Sequence, residues 1–203
     1  MERVLAVYAR PCEARFPVVC VDESPKQLLD VPQIRVADGT LLHDSEYIRR
    51  GVGEIYRAFE PLTGQRFVEV RDDHRAVTWV GVLAGLLDGP YAACQRLTVV
   101  GDNLSAHQPG AFYSVFAPEI AKAYLDRLEF VYTPRHGSWL DMAEIELSVL
   151  QRDCLNRPVA TKDELVREIQ AWQTKRNARN VKANWQFTTK EARIKLYKLY
   201  PTT

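Results

Sequence analysis

Asp22 closes the apolar run Pro-Val-Val-Cys-Val, Asp102 follows Leu-Thr-Val-Val-Gly, and Glu144 lies within Trp-Leu-Asp-Met-Ala-Glu-Ile-Glu-Leu. Two carboxylates at the ends of strand-like runs and a third on a helical stretch can gather three anionic oxygen donors around divalent metal. The chemistry they would serve is phosphoryl transfer on nucleic acid. Taken singly, an Asp after an apolar run is more often a turn or cap residue; the joint placement of the three makes the case. Neighbouring residues extend the set. Asn103 either braces Asp102 or shapes the turn after it. His107 either orients a phosphate or a water or is a loop histidine bonded to backbone. Arg135 and His136 precede a helix start, where backbone donors and positive charge suit phosphate, although an ordinary cap loop reads the same way.

These residues need a frame, and the chain supplies one in alternating elements. After a lead-in segment over residues 1–17, read as extended, the first strand runs from Val18 to Asp22. A polar stretch with Pro25, Pro32 and Gly39 follows. Alternating runs at 54–60 and 66–70 flank Pro61-Leu62-Thr63-Gly64 and predict a β-hairpin. Helical spacing of Val77, Val80, Leu83 and Leu87 predicts a helix over 73–88, stopped by Gly89-Pro90. A strand over 97–101 then delivers Asp102, a helix over 111–127 is interrupted near Pro118, and a short strand covers 128–132. A helix over 139–155 carries Glu144. Thr161 with Glu164 and Thr188 with Glu191 have capping-box spacing, so two more helices start there. Trp139 and Trp172 fall on apolar faces and read as core anchors.

That order of strands and helices predicts an α/β, ribonuclease H-like fold with a mixed five-stranded sheet, in which the first and fourth of these strands lie side by side. Adjacency would bring Asp22 and Asp102 together, with the Glu144 helix packed over the same edge. On that helix Asp141, Glu144 and Ser148 share a face, while Glu146 points about 200° away from Glu144. Glu144 is therefore the predicted ligand, and exchange of Glu146 for Gln is expected to be nearly silent.

Composition bounds the reading. At 203 residues, 46% hydrophobic and 26% charged, the chain can bury one good core. Cys12, Cys20, Cys94 and Cys154 are scattered without a Cys-x-x-Cys pair, which argues against a zinc site or a disulfide framework and for a reducing cytoplasm. No window approaches a membrane span and no signal peptide is evident. The net charge of +1 is unevenly spread. From residue 170 onward Lys175, Arg176, Arg179, Lys182, Lys190, Arg193, Lys195 and Lys198 stand against the single acid Glu191, so this tail carries +7 and the remainder −6. A basic tail beside an acidic body suits phosphate contact in one place and metal in another; a solvated helical face would look the same.

Three blocks also carry a resemblance: Val-Val-Cys-Val-Asp-Glu-Ser-Pro-Lys-Gln-Leu-Leu, Gly-Asp-Asn-Leu-Ser-Ala-His, and Tyr-Thr-Pro-Arg-His-Gly-Ser-Trp-Leu-Asp-Met-Ala-Glu-Ile-Glu-Leu. With the tail Trp-Gln-Phe-Thr-Thr-Lys-Glu-Ala-Arg-Ile-Lys-Leu, they resemble bacterial insertion-sequence transposases of the six-thirty family, related to mariner. The resemblance implies that Asp22, Asp102 and Glu144 are the Asp-Asp-Glu triad of a catalytic domain, holding two Mg²⁺ ions, with Mn²⁺ as a substitute. It implies double-stranded DNA, element ends and target, as the partner, and leaves a homodimer open. Residues 1–160 are expected to form the catalytic domain and 161–203 a basic helical extension. With 21 residues ahead of Asp22, a helix-turn-helix reader is expected to be missing from this chain. The family more often has Asn where this chain has Asp141; the extra carboxylate would perturb metal binding or face solvent. Two other readings fit the same residues: a ribonuclease H-like nuclease or resolvase using the same triad, and a non-catalytic DNA-binding remnant that keeps only the basic tail.

Overall fold

The computed structural model describes residues 1–35, 41–43, 46–134, 137–183 and 185–199. Five strands form one sheet: β1 (Val18–Asp30), β4 (Ile48–Glu60), β5 (Gln65–Arg71), β6 (Leu97–Gly101) and β7 (Leu128–Tyr132), in the order β5-β4-β1-β6-β7. A separate two-stranded ribbon pairs β2 (Gln33–Arg35) with β3 (Leu41–His43). Strands β4 and β5 are antiparallel to their neighbours, whereas β1, β6 and β7 run parallel, so the sheet is mixed. This is the ribonuclease H-like order that the alternation of elements predicts.

The start of β1 is apolar because both faces are covered. Val19 and Val21 pack with Trp79, Leu83 and Leu87 of α2 (Ala76–Asp88). Val18 and Cys20 pack on the other face with Val4, Leu5 and Val7 of α1 (Glu2–Tyr8) and with Met142 and Ala143 of α4 (Met142–Asp153). The lead-in segment is thus partly a helix rather than extended, since four of its seven helical residues, Val4, Leu5, Val7 and Tyr8, have this core to cover. Tyr8 then donates its hydroxyl to Leu140 O at 2.5 Å, tying α1 to the turn before α4.

Strand β1 does not stop at Asp22. It continues through the polar residues to Asp30, because β4 remains alongside and supplies the backbone partners. The hairpin forms where predicted: Glu60 faces Gln65, and the intervening turn closes with Gly64 N–H donating to Glu60 O at 2.9 Å. Gly64 has φ +77, a left-handed conformation open to glycine. The predicted helix over 111–127 is two pieces, a 3-10 turn (Pro109–Ser114) and α3 (Pro118–Asp126), with Pro118 in the first turn, where its missing N–H costs nothing. A 3-10 turn (Ser138–Leu140) likewise precedes α4, which begins after Asp141.

The basic C-terminal region is helical, as expected. Helix α5 (Lys162–Ala178) buries Leu165, Ile169 and Trp172 with Ile55 of β4, and α6 (Thr189–Lys195) opens with the full Thr188–Glu191 capping box. Trp172 is the core anchor predicted for it. Trp139 is not: it is 39% exposed and stacks on Trp185 at 6.2 Å, with Phe187 edge-on, so it forms an outer aromatic layer with the returning tail. No described helix is long and apolar enough to cross a membrane.

Candidate active site

The parallel pairing of β1 with β6 sets Val19 opposite Val99 and Cys20 opposite Val100, so Asp102, just past the end of β6, lies beside Asp22, which is inside β1 just beyond the paired stretch; the expectation of two strand ends holds for Asp102 alone. Close approach here depends on Gly101: a Cβ at that position would lie 2.9 Å from Val21 O. Asp22 and Asp102 line one open cleft of about 810 Å³ together with Glu23, Asn103, Asp141 and Glu144. The side chain of Glu144 projects from the first turn of α4 and is exposed to this cleft.

Alternation along β1 divides its two acids between the faces of the sheet. Asp22 shares its face with Val18 and Cys20 and sits across from Arg57 of β4. The Arg57 guanidinium donates to Asp22 Oδ2 at 2.8 Å and to Ser24 Oγ at 2.8 Å. Burial raises the Asp22 carboxyl above the usual range, opposed by Arg57, and burial lowers Arg57 in turn. Glu23 faces the other way, toward His107. The His107 ring lies in hydrogen-bond contact with Asp102 Oδ1 through Nδ1 at 2.6 Å. Its Nε2 is 3.2 Å from Glu23 Oε1, close enough for an ion pair but not aligned as a hydrogen bond. Burial works against the imidazolium, and Asp102 and Glu23 outweigh it, taking His107 to about 9.

The supporting residues sort themselves by these contacts. His107 is not bonded through its ring to backbone; it joins two carboxylates and stacks on Trp79 at 5.2 Å. Asn103 accepts from Gln108 Nε2 at 3.2 Å and is exposed, so it shapes the turn rather than bracing Asp102. Asp141 neither faces solvent nor lies on the helix proper. It is 4% exposed and caps α4 by accepting from Ala143 N–H at 2.9 Å. Burial first, then the nearby Asp22 charge, push its carboxyl up to about 8. Arg135 and His136 lie outside the described residues.

Glu146 departs from the expectation of silence. It points away from the cleft into a buried ion cluster, accepting from Arg66 Nε at 2.6 Å and Nη2 at 2.9 Å, and from Arg176 Nη2 at 2.9 Å. Burial opposes its charge, yet the two guanidinium groups hold it below the usual carboxylate range. Arg176 is therefore engaged in structure and is not a free phosphate contact. Arg193 likewise pairs with Glu2, and Lys195 lies 3.6 Å from Glu191. Lys175, Arg179, Lys182 and Lys190 are exposed and make no ion pair among the described residues.

Sequence reasoning missed Glu23 and Arg57. Glu23 sits beside Asp22 in sequence but on the opposite sheet face, and Arg57 lies in an alternating run where a charge reads as solvent-facing. Pairing of the two runs in register would have put Arg57 opposite Asp22.

Carboxylate oxygens from two adjacent strands and one helix are the hard donor set that Mg²⁺ or Mn²⁺ takes, and Glu23 Oε2 is a buried acceptor without a hydrogen-bond partner beside them. The donor chemistry fits. The side chains are splayed, however: no three acidic, His or Cys groups among the described residues converge as a closed ligand set. Unneutralised carboxylates repel one another, which favours that spread.

The description DDE superfamily endonuclease matches residues 17–166. No protein of curated function matches the chain in sequence. Among solved structures, the chain is similar to a pre-cleavage Mos1 transpososome, with TM-score 0.58 and 13% identity over 88% of this chain and 55% of that one. It is similar to the Mos1 strand transfer complex at TM-score 0.57 and 13% identity, over 85% and 51% of the two chains. The Mos1 mariner paired end complex with Mn gives TM-score 0.54 and 14% identity, over 88% and 55%. The chain thus spans about half the length of the structures it matches, and the likeness at this identity is one of fold.

Proposed function

Since the chain belongs to the DDE superfamily endonucleases, we propose that it is a transposase catalytic domain of the insertion sequence six-thirty family. In this reading it cuts and joins DNA strands, with Asp22, Asp102 and Glu144 holding two Mg²⁺ ions, or Mn²⁺ in their place. The observation that carries it is the placement of Asp22 and Asp102 on adjacent parallel strands, just beyond the stretch where the two strands pair, with Glu144 on the same cleft.

Ions held by Asp22, Asp102 and Glu144 would supply Lewis-acid activation of the attacking water or hydroxyl and charge stabilisation of the leaving oxygen in an in-line displacement at phosphorus. The protein's share is positioning. Asp22 holds its carboxylate within β1 and Asp102 just past the end of β6, and Glu144 supplies a third from a helix anchored on its far side by Glu146. The open cleft leaves room for a DNA strand, and no side chain needs to form a covalent intermediate. The exposed cations Lys175, Arg179, Lys182 and Lys190 would contact phosphates and position duplex DNA without reading bases. Residues 1–160 would form the catalytic domain and 161–203 a basic extension packed against it, in a cytoplasmic protein acting on element ends and target, and able to work as a homodimer. The Mos1 paired end complexes with Mn and with Mg support the same choice of ions here.

The test is strand cleavage of duplex DNA by the full chain with Mg²⁺ or Mn²⁺. Asp22→Asn, Asp102→Asn and Glu144→Gln are each expected to abolish cleavage while leaving the circular dichroism spectrum unchanged, because each near-isosteric amide removes a charge the ions require. Cleavage at the wild-type rate by any of the three would remove that residue from the site.

A further inference from the structure

Two buried nitrogen-bearing side chains hold the carboxylates of Asp22 and Asp102 from opposite faces of the sheet. Arg57, 1% exposed, lies between Ile55 and Phe59 on the face toward α4 and takes Asp22 Oδ2. His107, 3% exposed, lies on the face toward α2, stacked on Trp79, and takes Asp102 Oδ1. Each side chain engages one oxygen of a carboxylate that still lines the cleft.

Stability gives little reason for this arrangement. A buried ion pair is often no more stable than an apolar pair of the same volume, and Arg57 also leaves its Nε without a hydrogen-bond partner. Position 57 is flanked on its face by Ile55 and Phe59, where an aliphatic side chain would fit the same core. What the guanidinium adds is orientation: its fork, fixed at Ser24 Oγ and Asp22 Oδ2, sets the carboxylate plane.

We infer that Arg57 and His107 are positioning residues, each holding one oxygen of Asp22 or Asp102 so that the other oxygen is offered to a divalent cation in the cleft. The inference rests on the reading of Asp22 and Asp102 as metal ligands. It has a distinctive sign. A cation near a metal site repels the metal, so if charge alone mattered, removing Arg57 would tighten metal binding. Orientation demands the reverse, because a released carboxylate must be ordered again each time the ion binds.

The measurement is Mn²⁺ binding to the chelator-stripped full chain, followed by the electron paramagnetic resonance signal of free Mn²⁺, with cleavage as a second readout. Arg57→Met and His107→Asn are expected to raise the Mn²⁺ dissociation constant roughly tenfold, the usual scale for lost outer-shell support. Their cleavage should recover as Mn²⁺ is raised, whereas Asp22→Asn should not recover. Mn²⁺ binding as tight as wild type, or tighter, in both folded variants would overturn the inference. If Arg57→Met does not fold, Ser24→Ala decides that half: it frees one arm of the Arg57 fork while keeping the charge, and an unchanged Mn²⁺ constant would overturn it. A wild-type chain that binds no Mn²⁺, or binds it equally well after Asp22→Asn, would instead remove the metal site itself and the inference with it.

Discussion

Asp141 shows how one carboxylate can serve the fold and burden the site. As the cap of α4 it satisfies a backbone N–H that would otherwise be orphaned, a role Asn fills about as well. As a buried acid near Asp22 it is held at about 8, well above the ordinary 3.8. A carboxyl raised in the folded state contributes stability that is full below its unfolded value and declines as pH rises toward the folded one. Metal-stripped wild type should therefore lose stability between about pH 4 and pH 8, and Asp141→Asn should not share that loss. Urea midpoints of both proteins across this range test it; parallel curves would show that Asp141 does not carry the proton. The signal for a cap was present in the sequence, in an acid just ahead of an apolar helical stretch. Its burial was not, because that depends on Arg57 and Asp22 arriving from strands distant in sequence.

At the scale of elements, the direction of α4 decides whether Glu144 faces the cleft, and the cluster of Glu146 with Arg66 and Arg176 fixes that direction. Arg66 also donates to Val181 O at 2.8 Å and packs over Phe59 at 4.5 Å, so β5, α4 and the chain after α5 meet at one guanidinium. Glu146→Gln leaves the buried Arg66 and the half-buried Arg176 without their charge partner, and removing one member of a buried pair costs about 3 to 5 kcal/mol. Chemical denaturation should show a loss of that size at pH 7. The difference from wild type should shrink as pH falls below the ordinary carboxylate value of 4.5, since stability from a depressed carboxyl is lost on protonation. A silent variant would mean that α4 is held by its apolar face alone. The strands and the longer helices were legible because apolar runs bounded by Gly, Pro and capping residues carry their own periodicity. Helix α1 was not, since seven residues are too few to separate helix from strand by pattern. The polar half of β1 was not either, because its strand conformation comes from pairing with β4 rather than from its own side chains.

Across the whole molecule, the uneven charge seen in the sequence becomes a division of labour that the sequence could only partly assign. Of the eight basic residues after position 170, Arg176 serves the core and Arg193 holds Glu2 of α1, so these two bind the tail to the body, while Lys195 lies near Glu191 within α6. Lys175 in the last turn of α5 and Arg179 at its C-cap border a cavity of about 600 Å³ with Arg157 and Trp172 and remain exposed. If this face meets DNA, it does so through phosphates, and each cation lost should remove close to one released counterion. Replacing Lys175 and Arg179 together with Ala should weaken binding to any duplex about equally and make the plot of log affinity against log salt shallower by about 2. Fluorescence anisotropy on a labelled duplex and its scrambled counterpart across a salt series measures both quantities. Arg176→Ala is the control that separates the two kinds of basic residue, because its main effect should be a lower denaturation midpoint. A salt dependence untouched by the double variant would show that any DNA contact lies away from this end of α5, at Lys182 and Lys190 or at the rim of the cleft that Asp22 and Asp102 line.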